Sequence, residues 1–371
     1  MNNELLVYEI LKDAAIKWPG KPAVYDDHGM MTFAELYRQT EILRIKLIEL
    51  GVKPGMGMGV KARNGRNFIM GIFAGVGCGA AVMPMSHQLK TAEIDEILAE
   101  AQLHIIIDDM SGVCPVKGVG SVIEMNAESF SFIFTGKGQL LPYAPHVHLP
   151  AFIRFTSGTT GKSKGVIVSH QSVIERIEGA NKALSLGTED TVVWVLPMAY
   201  HFIVSVVLYV RFGTAIAITK DFLARSIIEI TNRHRGTLLY ASPVQIRLLS
   251  NDNGQGQMPS LKKVISTSAS ISPEVCLAFK NRFGIHVSQA YGIIEIGLPM
   301  INFIKSAEHP EAVGYALPDY TVDILDDEYN PLPPGQIGHL AIKGPGMFDA
   351  YLLPATRRAD VLKKGYFLTA D

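Results

Sequence analysis

The chain has little net charge, little cysteine and no tract of low complexity. Its 34 Lys and Arg oppose 35 Asp and Glu, leaving a formal charge of −1 over 371 residues. No basic run or face argues for nucleic acid or for an anionic membrane surface. Cys78, Cys114 and Cys276 are scattered, without the spacing of a disulfide framework or a metal site. Such usage suits a reducing cytoplasm, and Cys276, close to Ala278 and Phe279, reads as core packing. Met1-Asn2-Asn3-Glu4 carries an acid where a secretory signal needs a basic region. The uncharged stretch from Val192 to Val210 approaches the length of a membrane span. Pro197 and His201 interrupt it, so it reads as a buried strand over Val192–Leu196 and a buried helix or strand over Ile203–Val210, with no membrane span. No internal repeat is present.

What is abundant is apolar: 48% of residues are hydrophobic and 19% charged. That suffices for a large core, and at this length a split into two or three subdomains is expected, because single cores stop growing near roughly 250–300 residues. Thr32-Phe33-Ala34-Glu35 has the form of a capping box. Phe33, Leu36, Leu43, Leu47 and Leu50 then mark one helical face, and Gly51 supplies the stop. Phe68–Val76 suits a helix packed on a sheet, Gly79–Pro84 and His104–Asp108 suit buried strands, and Thr91 should cap a helix through Ala101. Strand and helix continue to alternate through Thr191–Leu196, Ala215–Thr219, Thr237–Ala241, Lys263–Ser266 and His286–Gln289. This alternation implies right-handed crossovers and mainly parallel sheets. Past Pro310, short strands and tight turns predominate. The expected class is α/β: two βαβ-type subdomains over 1–150 and 151–305, and a small β-barrel-like subdomain over 306–371.

The densest chemistry lies in Phe155-Thr156-Ser157-Gly158-Thr159-Thr160-Gly161-Lys162-Ser163-Lys164-Gly165-Val166. It follows the apolar Ala151-Phe152-Ile153 and runs into Val166-Ile167-Val168, giving strand, polar loop, strand. Glycines let a backbone approach a ligand closely and adopt positive φ. A hairpin turn needs Gly, Asn or Asp, but not this many hydroxyls beside two lysines, so the loop reads as an anion cradle. A Walker A loop would need glycine five residues before Gly161 and a helix after it. Thr156 stands at that position and β-branched residues follow, which excludes it.

Thr-Ser-Gly-Thr-Thr-Gly-x-x-Lys-Gly resembles the signature loop of the adenylate-forming superfamily, which includes acyl-CoA synthetases, peptide-synthetase adenylation domains and luciferases. Thr32-Phe33-Ala34-Glu35-Leu36 is similar to the family's early helix start, and Gly79-Ala80-Ala81-Val82-Met83-Pro84 to its strand ending in proline. The resemblance covers nearly the whole chain. It implies an N-terminal domain of two βαβ subdomains and a small barrel, in which a carboxylate attacks the α-phosphate of ATP and expels pyrophosphate. Like charges meet in that reaction, so catalysis is mostly positioning and neutralisation.

On this resemblance Thr156, Ser157, Gly158, Thr159, Thr160, Gly161 and Lys164 hold the nucleotide phosphates, with Ser163 where the family often has proline. Glu295, in Tyr291-Gly292-Ile293-Ile294-Glu295, is similar to the glutamate of the family's Tyr-Gly-x-Thr-Glu and would hold Mg²⁺, which takes one or two carboxylates plus phosphate oxygens. Ile294 replaces the threonine that contacts phosphate, a loss of ~1–3 kcal/mol if nothing compensates. Tyr291 would lie against adenine, with Gln289, Ala290 and Gly292 along the same edge. Ser268 and Ala269 belong to a wall, Thr267-Ser268-Ala269-Ser270-Ile271, where the family has Gly-Gly-Ala-Pro-Leu. His201 looks like the family's gate beside the substrate carboxylate and completes a catalytic set with Lys164 and Glu295. Phe202 and Val206, with His201 and Ser268, suggest a pocket wall for the acid. Lys220 is similar to a position that meets the thiol cofactor's phosphates in CoA ligases, and equally suits an exposed surface. Gly365-Tyr366-Phe367-Leu368-Thr369-Ala370-Asp371 resembles Tyr-x-Thr-Gly-Asp, with Asp371 on the ribose hydroxyls. The family continues into a C-terminal lid carrying a catalytic lysine; its absence here suggests a truncated, impaired ligase.

The expected function is therefore ATP- and Mg²⁺-dependent activation of a small carboxylic acid to an acyl-adenylate, then thioester formation with CoA or the phosphopantetheine of an acyl carrier protein, in the cytoplasm. Amino-acid-activating members place an aspartate near the pocket. None stands between Asp190 and Asp221, which favours an aryl or fatty acid. The alternative is a non-catalytic nucleotide or acyl-adenylate binding module, prompted by Ile294 and the missing lid.

Overall fold

Thr32 opens the helix Phe33–Glu49 in a computed structural model that describes residues 5–112, 115–125, 129–138, 141–156 and 164–369. Its Oγ1 accepts from the Glu35 N–H at 3.2 Å and its own N–H donates to Glu35 Oε2 at 3.0 Å, closing the capping box. Phe33, Leu36, Leu43 and Leu47 are buried, and Gly51 turns the chain out at φ 99°. The helix Thr91–Ala101 starts differently from expectation. Lys90, not Thr91, is its cap residue, because the Glu93 carboxylate accepts the Lys90 N–H at 2.8 Å and leaves Thr91 as the first helical residue. The helix Arg66–Gly77 lies close on its sheet. A Cβ at Gly71 would meet Val60 Cγ1, and one at Gly75 would meet Val82 Cγ2, each at 2.8 Å.

Among the described residues the strands form two nine-stranded sheets and one three-stranded sheet. The centre of the first is parallel, through Ile105–Asp108, Gly57–Ala62, Ala81–Ser86 and Pro150–Thr156. The centre of the second is parallel through Pro22–Asp26, Ala215–Ile218, Thr191–Trp194, Leu238–Ala241, Lys263–Ser266 and Val287–Ile293. Near-continuous burial of these strands matches sheets covered on both faces. The third sheet, Thr321–Leu325, His339–Lys343 and Phe367–Leu368, is antiparallel and open.

Sheet membership cuts across a linear division at 150 and 305. Pro22–Asp26 and Gly29–Thr32 form one edge of the second sheet, whereas Pro150–Thr156, Lys164–Ser169, Ala350–Tyr351 and Thr356–Arg357 complete the first. Strand pairing joins distant segments without regard to composition along the chain, so composition cannot mark these boundaries. The uncharged stretch resolves into the buried strand Thr191–Trp194 and the buried helix Val206–Arg211. No helix among the described residues is long and apolar enough to cross a membrane.

Candidate active site

The parallel strands of the second sheet end on a shared side, and ligands of open α/β sheets bind beyond such carboxyl ends. A cleft of about 1140 Å³ lies there. Leu196, Pro197, Tyr200 and His201 reach it after Thr191–Trp194, Ser242 and Gln245 after Leu238–Ala241, Ser268 after Lys263–Ser266, and Gly292 to Glu295 at the end of Val287–Ile293. The first sheet contributes Met83 to Ser86 from the end of Ala81–Ser86, and Arg154, Phe155 and Lys164 from the hairpin that carries the polar loop.

Glu295 and Lys164 face this cleft with Tyr351 between them. The Tyr351 hydroxyl donates to Glu295 Oε1 at 3.2 Å, and Lys164 Nζ sits 5.0 Å from the Tyr351 ring centroid. Burial pushes the Glu295 carboxyl above its ordinary value, against the bond from Tyr351 and the attraction of Lys164 and Arg176. A bound cation would offset that desolvation. Among the described residues Glu295 is the only carboxylate lining the cleft, and no group of three or more His, Cys, Asp or Glu could hold a metal. The donor set therefore fits Mg²⁺, which completes its shell from phosphate oxygens and water, better than a metal caged by protein.

His201 is flanked edge-on by Trp194 and Tyr240, with ring centroids 6.2 Å away in each case. Burial, with Arg154 adding repulsion, pushes its pKa down to about 4, so it is a neutral imidazole near pH 7. Ser268 turns through φ +75°, a conformation uncommon outside glycine. Where glycine usually stands, the backbone keeps the glycine-like turn without the glycine. At Gly292 a Cβ would lie 2.5 Å from the Gly297 carbonyl oxygen, so the hairpin at the cleft edge closes only with glycine.

His201, Lys164, Ser268 and the pair Gly292 and Glu295 thus come together from four separate segments. Other expected site residues do not reach the cleft. Phe202 packs in the core against Phe68, Phe73 and Phe152, and Val206 is fully buried, because their helical segment turns its apolar side inward. Gln289 is buried and braces backbone: its Oε1 accepts from the Ile271 N–H at 2.8 Å and its Nε2 donates to the Glu311 carbonyl at 2.6 Å. Ala290 is buried, Tyr291 is half-buried against the core, and Ala269 is exposed, all outside the cleft lining. Thr156 ends its strand; Ser157, Gly158, Thr159, Thr160, Gly161 and Asp371 lie outside the described residues.

The cleft also contains residues that sequence reasoning missed. Arg154 and Tyr200 line it together, with the guanidinium carbon 4.4 Å from the Tyr200 ring centroid. A cation inside the apolar run Ala151-Phe152-Ile153-Arg154-Phe155 was the available signal. Tyr351 is 56 residues from Glu295 in sequence and had none. A second cleft of about 580 Å³ adjoins the first, sharing Ser86, Pro197 and Gln245, and is lined by Arg63, Arg66 and Lys220 together with Asp26, Asp27 and Asp221.

A family model described as AMP-binding enzyme matches residues 11–352. The chain is 25% identical to a sulfoacetate–CoA ligase of Cupriavidus necator over 96% of its own length and 73% of that protein's. It is 24% identical to an indoleacetate–CoA ligase of Aromatoleum aromaticum over 95% and 73%. Its fold is similar to that of the inhibitor-bound N-terminal domain of FACL13 from Mycobacterium tuberculosis, with TM-score 0.82, 18% identity and coverage of 99% of this chain and 96% of that one.

Proposed function

The chain belongs to the AMP-binding enzymes, which activate a carboxylic acid with ATP to an acyl-adenylate for transfer to a thiol, and we propose that its cleft does so for an aryl or fatty acid. The observation that carries this reading is the convergence of Lys164, His201, Ser268, Gly292 and Glu295 on one cleft at the strand ends. In this reading Glu295 holds Mg²⁺ on the phosphates, Lys164 and the adjacent hydroxyl-rich loop neutralise them, and neutral His201 gates the acid. Charge neutralisation of this kind, fixed before reaction, is the largest lever available to such a site. An α-amino acid is disfavoured because Glu295 is the only carboxylate along the described lining, and it is committed to the metal. Ile294 lines the cleft where a hydroxyl would serve phosphate; either a neighbouring hydroxyl takes that contact or turnover is slow.

The acceptor thiol, on CoA or on a carrier protein's phosphopantetheine, would enter by the adjoining cleft, where Arg63 and Lys220 suit phosphates. We place the reaction in the cytoplasm, in keeping with three scattered cysteines of which Cys78 and Cys276 are free and buried.

The test is acid-dependent exchange of labelled pyrophosphate into ATP, with aryl, fatty and α-amino acids compared on the full chain. Exchange with aryl or fatty acids is expected. Exchange with α-amino acids alone would reverse the substrate assignment, and ATP binding without exchange for any acid would leave only a binding module.

A further inference from the structure

Arg154 is the unexplained charge in the cleft. It projects from the strand Pro150–Thr156 on the same face as Phe152, which packs on Phe202, and so it reaches the segment that carries His201. One Nη1 hydrogen goes to the Ala199 carbonyl, and the guanidinium lies against the Tyr200 ring. No carboxylate pairs with it among the described residues. A guanidinium has five N–H donors arranged to meet a carboxylate in a fork, and an enclosed cation without a counter-anion is costly.

We propose that Arg154 is a substrate-binding residue that grips the carboxylate of the acid being activated; this rests on the acid-activating reading above. Three further observations support it. Burial lowers the Arg154 pKa only to about 10, so the charge persists at neutral pH. His201 beside it is neutral and does not repel an incoming anion. The other charges of the cleft, Lys164 and Glu295, are gathered around Tyr351, which leaves Arg154 free of that pair. Arg154 stands two residues before Thr156, roughly 7 Å along the strand. A carboxylate held there lies close to the strand end at Thr156, after which the sequence assigned to the phosphates begins.

The experiment separates charge from scaffolding. Arg154→Gln retains an N–H for the Ala199 carbonyl and removes the charge; Arg154→Lys retains the charge without the fork. Benzoate, phenylacetate and octanoate are first ranked by pyrophosphate exchange on the wild-type chain. The fastest is then titrated calorimetrically into wild type and both variants, beside its uncharged carboxamide. Arg154→Gln is expected to weaken the acid at least tenfold, leave the carboxamide and the KM for ATP unchanged, and be partly rescued by Arg154→Lys. Equal weakening of acid and carboxamide, or an unchanged acid, overturns the proposal. Should the wild type exchange with none of the three acids, the acid-activating reading fails first and this proposal falls with it.

Discussion

Arg176 donates from Nη1 to the carbonyl oxygen of Ile294 at 3.0 Å, and so holds the backbone one residue ahead of Glu295. The same guanidinium, fully buried, donates from Nε to the Gly346 carbonyl at 2.9 Å. Gly346 sits at φ +64°, and a Cβ there would lie 2.2 Å from the Ser172 carbonyl oxygen. The Phe348 N–H in turn donates to the Glu295 carbonyl at 2.6 Å. Two segments of the cleft wall are therefore fastened to one arginine behind it.

Arg176→Met leaves the buried Gly346 carbonyl and the half-buried Ile294 carbonyl without their donor, at about 1–3 kcal/mol for the buried one. The midpoint of urea unfolding should fall accordingly. Where folding survives, the Mg²⁺ concentration for half-maximal pyrophosphate exchange should rise, since Glu295 loses its support. An unchanged Mg²⁺ dependence in a folded variant would show that Arg176 acts on stability alone.

Glu295→Gln should separate activity from stability. Burial raises the carboxyl pKa in the folded state, so the folded protein binds this proton more tightly than the unfolded chain does, and the charged form at pH 7 is a destabilising presence. The variant should lose exchange by about a hundredfold or more and its dependence on Mg²⁺, while its Tm at pH 7 rises or holds. A lower Tm contradicts the electrostatic account.

His201→Asn addresses pH. Above the ordinary histidine value of 6.5 neither folded nor unfolded His201 carries a proton. Between 6.5 and about 4 the unfolded chain takes up a proton that the folded one refuses, so stability is lost as pH falls through that window. His170, whose Nδ1 accepts from the Val7 N–H at 3.0 Å, is likewise pushed down to about 4 and contributes to the same slope. Denaturation curves at pH 7, 5.5 and 4.5 should show a shallower loss in His201→Asn than in wild type.

Ser268→Gly should stabilise. The left-handed conformation costs an L-residue roughly 1 kcal/mol that glycine avoids, partly offset by glycine's greater freedom when unfolded. A rise in Tm of a few degrees or less is expected, and an unchanged or lower Tm would show that the turn is not strained.

Ile294→Thr restores a hydroxyl to the cleft lining. If that hydroxyl meets phosphate, exchange should quicken by up to about tenfold, the equivalent of ~1.4 kcal/mol. Exchange at or below the wild-type rate would mean that another group already serves the contact.

Local features were readable from sequence because their causes are local. The Thr32–Glu35 box spans three residues and closes as expected, and the alternation of strand and helix foretold two sheets with parallel centres. The strand ends that build the cleft were also in order. What could not be read depends on long separations: Arg176 meets Gly346 across 170 residues, and Gln289 braces Ile271 and Glu311 instead of facing the cleft. Phe202 and Val206 lie in the core, and an apolar residue beside a site and one in the core look alike in sequence. Arg154 was visible as an anomaly, a charge in an apolar strand, and only the folded arrangement gives it neighbours.

The lacing of the first sheet bears on how the protein is made. Its hairpin strand Lys164–Ser169 pairs on its outer side with Ala350–Tyr351, a segment that a ribosome delivers about 180 residues later, some 10–40 s at ordinary elongation rates. Until then that edge is an unpaired template for other strands. The outer edge of the strand that begins at Lys164 thus stays open for much of synthesis, and a chaperone that shields nascent chains would find a client surface there.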